Sequence, residues 1–298
     1  MASRVHFLLA FVLIAILNIS VGAQSSDRRI SIAVLSFGDG PVGRQSAESL
    51  TAKLSEHGDI LILDADQTRA AAKGAGYAPS LNMATAEART LGAVMGSDFY
   101  VLGDAQTLRR SPSSGAIYFE AYASIFAVSS RTGRLVDWQR LSFQAPAHEA
   151  ATKLLLSALS QRAFSDRVIG SIRQAAQDEK TTREATITKG VPVIEEAPSD
   201  EKAAAAGGLR LPRPYRRFQP SYPDSAATAE AEAIVDVLVD LDANGEITHA
   251  EIARWAGFGL DEATLETVRK LHFFPAMRNG AAVPLRVLLR YNFRKPPK

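Results

Sequence analysis

Apolar positions change their period several times along this chain, and each change marks an element. Residues 30–37, Ile30-Ser31-Ile32-Ala33-Val34-Leu35-Ser36-Phe37, are rich in β-formers and close on Gly38-Asp39-Gly40, which predicts a strand and a turn. Ala47, Leu50 and Leu54 recur at helical spacing before Gly58, predicting a helix over 45–57. A short buried strand follows at 60–63, and Asp64 or Asp66 is placed to cap a helix reaching about Gly74. Ala84, Ala88, Leu91 and Met95 share one face of a helix over 83–95. Strands are predicted at 99–102, 116–128 and 135–143, the last two joined by the turn Ser129-Ser130-Arg131-Thr132-Gly133-Arg134. Leu154, Leu155, Leu159, Phe164 and Val168 then form the apolar side of one long closing helix over 148–172. The order βαβααβββα predicts an α/β domain over 29–175.

From 176 to 212 large apolar residues become scarce while Lys, Glu, Thr and Ala dominate, so a flexible linker without a core is expected. Period-two alternation returns at 233–242, Ala233-Ile234-Val235-Asp236-Val237-Leu238-Val239-Asp240-Leu241-Asp242, and leads into Ala243-Asn244-Gly245. That is a strand entering a hairpin, with Asn-Gly as the turn signal. The chain closes on a second alternating run. Val287, Leu289, Tyr291 and Phe293 fall on the core face, and Arg286, Leu288, Arg290 and Asn292 on the solvent face. Two domains of an α+β protein result: 29–175, and a hairpin–helix–strand unit over 213–298.

Composition narrows the function more than it defines it. Apolar content of 46% and charged content of 22% permit ordinary cores, and a net charge of +2 gives no case for a nucleic-acid partner. There is no cysteine, which removes disulfides, thiolate catalysis and zinc–thiolate sites. His6, His57, His148, His249 and His272 form no close ligand pair, and no nucleophile elbow, phosphate loop or dinucleotide fingerprint occurs. No catalytic residue can be named, and no enzymatic activity is expected. Residues 1–23 combine a basic start at Arg4, an apolar run of about 15 residues and the small residues Val21-Gly22-Ala23. They predict a secretory signal peptide cleaved after Ala23, or alternatively an uncleaved anchor, although the run is shorter than the ~20 residues of a comfortable span.

The ordered motifs of the last third carry a family resemblance. Gln219-Pro220-Ser221-Tyr222-Pro223, the alternating strand with its Asn244-Gly245 turn, Leu260-Asp261-Glu262-Ala263-Thr264-Leu265, Phe273-Phe274-Pro275-Ala276, Asn279-Gly280 and the closing strand resemble, over about 213–295, the carboxy-terminal domain of the TonB energy transducers. The resemblance implies a periplasmic module that grips partner proteins, an outer-membrane receptor or a periplasmic protein, and couples to inner-membrane motor proteins. It implies partner contacts at Gln219, Pro220, Tyr222 and Pro223, and strand addition along the last strand at Arg286, Leu288 and Arg290. The alternative for the proline-rich stretch is a plain extended lead-in. For Arg286 and Arg290 it is a solvated basic face. More weakly, Ile32-Ala33-Val34-Leu35-Ser36-Phe37, Gly96-Ser97-Asp98-Phe99-Tyr100-Val101-Leu102-Gly103 and Arg131-Thr132-Gly133-Arg134-Leu135-Val136 resemble the amino-terminal domain of TolB and the CsgG-like family, implying an envelope scaffold without a catalytic centre.

A second reading competes for the hairpin. Asp240, Asp242, Asn244, Glu246 and Glu251, with Gly245 at the bend, match the spacing of an EF-hand loop, in which calcium takes oxygen ligands between two helices. The β-branched alternation upstream favours a strand there instead. An envelope adaptor without energy coupling is the remaining alternative. No cofactor is otherwise expected.

Overall fold

The computed structural model describes residues 29–189, 194–198 and 200–295. The expected signal or anchor at 1–23 lies outside the described residues.

The first unit runs β1 (Ile30–Val34), α1 (Pro41–Leu54), β2 (Ile60–Ile62), α2 (Ala65–Gly74), β3 (Met83–Ala84), α3 (Thr85–Met95), β4 (Phe99–Arg110), β5 (Tyr118–Ser129), β6 (Leu135–Ala145), α4 (His148–Leu159) and α5 (Arg162–Lys189). Asp64 caps α2, its carboxylate accepting from the backbone N–H of Asp66 and Gln67. Five strands form one sheet in the order β2-β1-β4-β5-β6. β1 is parallel to β2 and β4, and β4, β5 and β6 form an antiparallel meander. Alternation divides the sheet between two cores. Ile32, Val34, Val101 and Ile125 meet Leu50, Leu54, Leu155 and Ile169 on one side. Ala33, Leu35, Tyr100, Leu102, Phe126 and Val128 face the other way.

The second unit contains α6 (Glu201–Ala206), β7 (Leu209–Arg210), β8 (Arg213–Pro214), α7 (Asp224–Ala229), β9 (Ala233–Leu241), β10 (Ile247–Trp255), α8 (Leu260–Val268), β11 (Phe273–Phe274), β12 (Ala276–Arg278), β13 (Ala281–Val283) and β14 (Leu285–Phe293). Its main sheet has the order β14-β9-β10-β3. The last member is Met83–Ala84 of the first unit, pairing with Arg254 and Trp255.

Two sequence expectations change here. The closing helix is two helices, broken after Leu159, and the second continues to Lys189, deep into the stretch expected to be a flexible linker. Glu179 explains part of this. Its carboxylate accepts from Arg131 and Thr132, tying the helix to the β5–β6 turn.

The units are also not separate bodies on a tether. Trp255 is 1% exposed, stacks on Phe126 at 5.9 Å and donates its indole N–H to the Gly133 carbonyl at 3.0 Å. Phe258 packs edge-on to Phe126 and against Trp138. Gly257, at φ 70°, lies where a Cβ would strike the Phe126 ring, so the close approach requires glycine. Asn82 binds the second unit as a backbone partner would, donating to the carbonyls of Ile234 and Trp255 and accepting from the N–H of Ile234. The apolar face left over by the first sheet and the inner face of the second form one continuous core.

Candidate functional site: the outer edge of the second sheet

β3 covers only the Arg254–Trp255 end of β10, and β14 forms the opposite edge of this sheet. It pairs with β9 through nine residues, from Leu285↔Leu241 to Phe293↔Ala233. The alternation places the side chains as the sequence predicts: Leu285, Val287 and Phe293 are buried and Leu288 is 52% exposed. Val235, Val237, Val239 and Leu241 of β9 continue the buried face.

The opposite face is a ladder of cross-strand ion pairs. Arg286 sits opposite Asp240 and forks onto its carboxylate at 2.5 and 2.8 Å. Arg290 repeats this on Asp236 at 2.7 and 2.9 Å. The Arg286 guanidinium holds the Asp240 carboxyl below the usual carboxylate range despite burial. Bidentate geometry makes such pairs directional as well as attractive. Both arginines are therefore paired within the sheet, and Arg290 keeps 55% of its side chain exposed. Asp236 was missed as a partner, although its spacing from Asp240 matches that of Arg290 from Arg286.

Backbone parity defines what the edge offers. The Arg286 N–H donates away from β9 to the Glu195 carbonyl at 2.8 Å, and the Arg286 carbonyl accepts from the Ala197 N–H at 2.7 Å. In an antiparallel pair the outward groups recur every second residue. Leu288, Arg290 and Asn292 therefore also aim N–H and C=O outward, along an edge that no other described strand pairs.

The Gln219 to Pro223 stretch divides. Gln219 is exposed and Pro220 half-buried. Tyr222 is used internally, its hydroxyl donating to the carbonyls of Ala231 at 2.7 Å and Ala226 at 3.2 Å. Pro223 is the residue before α7, where a fixed φ suits a helix entrance.

The helix–loop–helix alternative at 240–251 does not form: both flanks are strands. The turn closes through the Gly245 N–H to the Asp242 carbonyl, with Gly245 at φ 84°, so the left-handed residue follows a turn centred on Ala243-Asn244. The Asp242 carboxylate accepts from the N–H groups of Asn244 and Glu246, which lowers its pKa. Glu246 lies beside His272, and Glu251 is opposite Leu238. With Asp240 committed to Arg286, the five oxygens do not converge. Among the described residues no three His, Asp or Glu side chains gather closely enough to hold a metal ion.

Comparison with known proteins locates the family in the same segment. Residues 219–294 match the model of the Gram-negative bacterial TonB protein C-terminal. No curated protein matches the chain. Among solved structures, the C-terminal domain of Pseudomonas aeruginosa TonB is similar at 22% identity, covering 29% of this chain and 89% of that one, with a TM-score of 0.25. Lipoprotein GNA1162 from Neisseria meningitidis is similar at 17% identity, covering 44% of this chain and 94% of that one, with a TM-score of 0.32. The C-terminal domain of LpoB from Salmonella enterica is similar at 15% identity, covering 41% and 88%, with a TM-score of 0.29. Residues 219–294 are a TonB C-terminal domain.

Proposed function

We propose that this protein is a non-enzymatic docking protein of the periplasm that takes an extended segment of an outer-membrane or periplasmic partner as an added strand on β14. The observation that carries the reading is the run of outward N–H and C=O groups at Leu288, Arg290 and Asn292 on the edge strand β14. An unpaired edge of this kind accepts a strand through main-chain hydrogen bonds, while alternate side chains set the preference. The Arg286–Asp240 and Arg290–Asp236 pairs stiffen that edge.

Leu288→Pro tests it. Proline there removes an outward donor and no ladder bond to β9, so the fold survives and partner co-isolation from the envelope of the native host is lost. Retained co-isolation with a folded variant rules out strand addition at this edge. Coupling to an inner-membrane motor is a further step that needs residues 1–23 to remain as an anchor. Among the described residues no helix is long and apolar enough to cross a membrane. Sequencing the amino terminus of the protein from membrane and soluble fractions separates an anchored transducer, which keeps Met1, from an adaptor released at Gln24.

A further inference from the structure

The edge is not bare along its whole length. Glu196 forms a parallel bridge with Arg286. Its two neighbours make the bridging bonds: the Glu195 carbonyl accepts from the Arg286 N–H, and the Ala197 N–H donates to the Arg286 carbonyl. The Glu195 carboxylate is forked by Arg278 at 2.6 and 2.8 Å. Ala197 is partly buried against the shared core. This is one register of strand addition, performed by the chain on itself. It uses residues that the sequence suggested were only linker.

We propose that residues 194–198 are a built-in occupant of the partner edge, so that a partner strand completes its pairing with β14 only by displacing them. The proposal rests on the strand-addition reading for its role, and on the two backbone bonds and the Arg278 fork for its existence. The occupant also indicates the chemistry that can replace it: an extended segment running parallel to β14 with a carboxylate facing Arg278. Glu196 lies close enough to favour the Arg286 cation as well. Being part of the same chain, the occupant competes at an effective concentration on the order of millimolar. A peptide that binds the cleared edge with micromolar affinity must overcome that competitor, whereas a longer partner gains its first hold on Leu288 to Asn292 and peels the occupant away.

The test uses the full chain and a synthetic peptide with the sequence of residues 191–198. Ala197→Pro removes the N–H that donates to Arg286, and Glu195→Ala removes the fork on Arg278. In the wild-type protein the expected result is that the Arg286 amide, bonded to the Glu195 carbonyl, is protected from hydrogen exchange. In the double variant its exchange accelerates by about tenfold or more, as expected for losing hydrogen bonds of this kind. The added peptide then binds the double variant at least tenfold more tightly than the wild type and restores protection at Arg286. Tryptophan emission, which reports the interface holding Trp255 and Trp138, stays unchanged and shows that the variant is folded. An unprotected Arg286 amide in the wild type overturns the proposal, as does equal binding of the peptide to wild type and variant. Both arms use only this chain and its own sequence, so a failure of Leu288→Pro to block a natural partner leaves their outcome intact.

Discussion

Replacing Trp255 by alanine is the sharpest test of the junction between the two units. The ring is 1% exposed, stacks on Phe126 and donates to Gly133, and it belongs to the second unit while both contacts belong to the first. Truncating a buried aromatic side chain costs about 3–5 kcal/mol through lost transfer energy and the cavity left behind. Losing the indole hydrogen bond adds about 0.5–1.5 kcal/mol. Against a total stability of about 5–15 kcal/mol, this is about a quarter or more of what holds a typical protein folded. If the units were independent and joined by coil, Trp255 would lie on a free surface and the substitution would cost within about 0.5 kcal/mol. The chain has two tryptophans, and the second, Trp138, touches Phe258 at the same junction. Urea unfolding followed by tryptophan emission therefore watches the interface directly. The expected result is blue-shifted native emission, one cooperative transition in the wild type, and an unfolding free energy lowered by several kcal/mol in Trp255→Ala. Trp255→Phe keeps the stacking on Phe126 and loses less than half as much. Red-shifted native emission, or a loss below about 1 kcal/mol in Trp255→Ala, would refute the shared core.

Other perturbations read other contacts. Burial pushes the Asp261 carboxyl up from 3.8 to about 7, against the pull of the Gly257 and Ala256 N–H groups that it accepts. The folded state therefore favours the protonated form. Its contribution is full below about pH 3.8 and is lost as pH rises to about 7, a change on the order of 4 kcal/mol; Asp261→Asn should flatten that slope in denaturation curves taken from pH 4 to 8. Arg286→Ala leaves the Asp240 carboxylate, at 7% side-chain exposure, without its cation and should cost about 1–3 kcal/mol in urea unfolding at pH 7. The Asp240 pKa is lowered, so this pair stabilises above the ordinary carboxylate range and its contribution fades as pH falls through the folded pKa. Millimolar calcium should leave the melting temperature unchanged, because Asp240 is already held by Arg286; a gain that disappears in Asp242→Ala combined with Glu251→Ala would restore the calcium reading.

What the sequence made legible was whatever has a period. The hairpin, the faces of β14 and the α/β order of the first unit follow from alternation and helical spacing, which local backbone geometry imposes. The contacts that decide the site have no period. Asp240 reads as a calcium ligand by its neighbours along the chain, while its partner Arg286 lies 46 residues away. Nothing local to Trp255 and Phe258 says that Phe126 and Trp138 of another unit receive them. Phe273 is buried, while its neighbour Phe274 is 56% exposed and packs on Tyr215. The Glu195 and Ala197 pairing runs through backbone groups, which every residue type but proline carries, so composition could not reveal it. Composition also favoured a coil after residue 175, because polar, Ala-rich sequence is common to linkers and to the exposed helix that continues to Lys189.

The most direct test of the central claim is site-specific photo-crosslinking from position 292, at the outward side of β14, in the native host. Strand addition predicts adducts with an envelope protein, mapped to an extended segment of it, that vanish when Leu288→Pro is introduced into the same chain. Adducts from position 292 that persist with Leu288→Pro, or their absence when a crosslinker placed at position 274 does capture an envelope protein, would contradict the account.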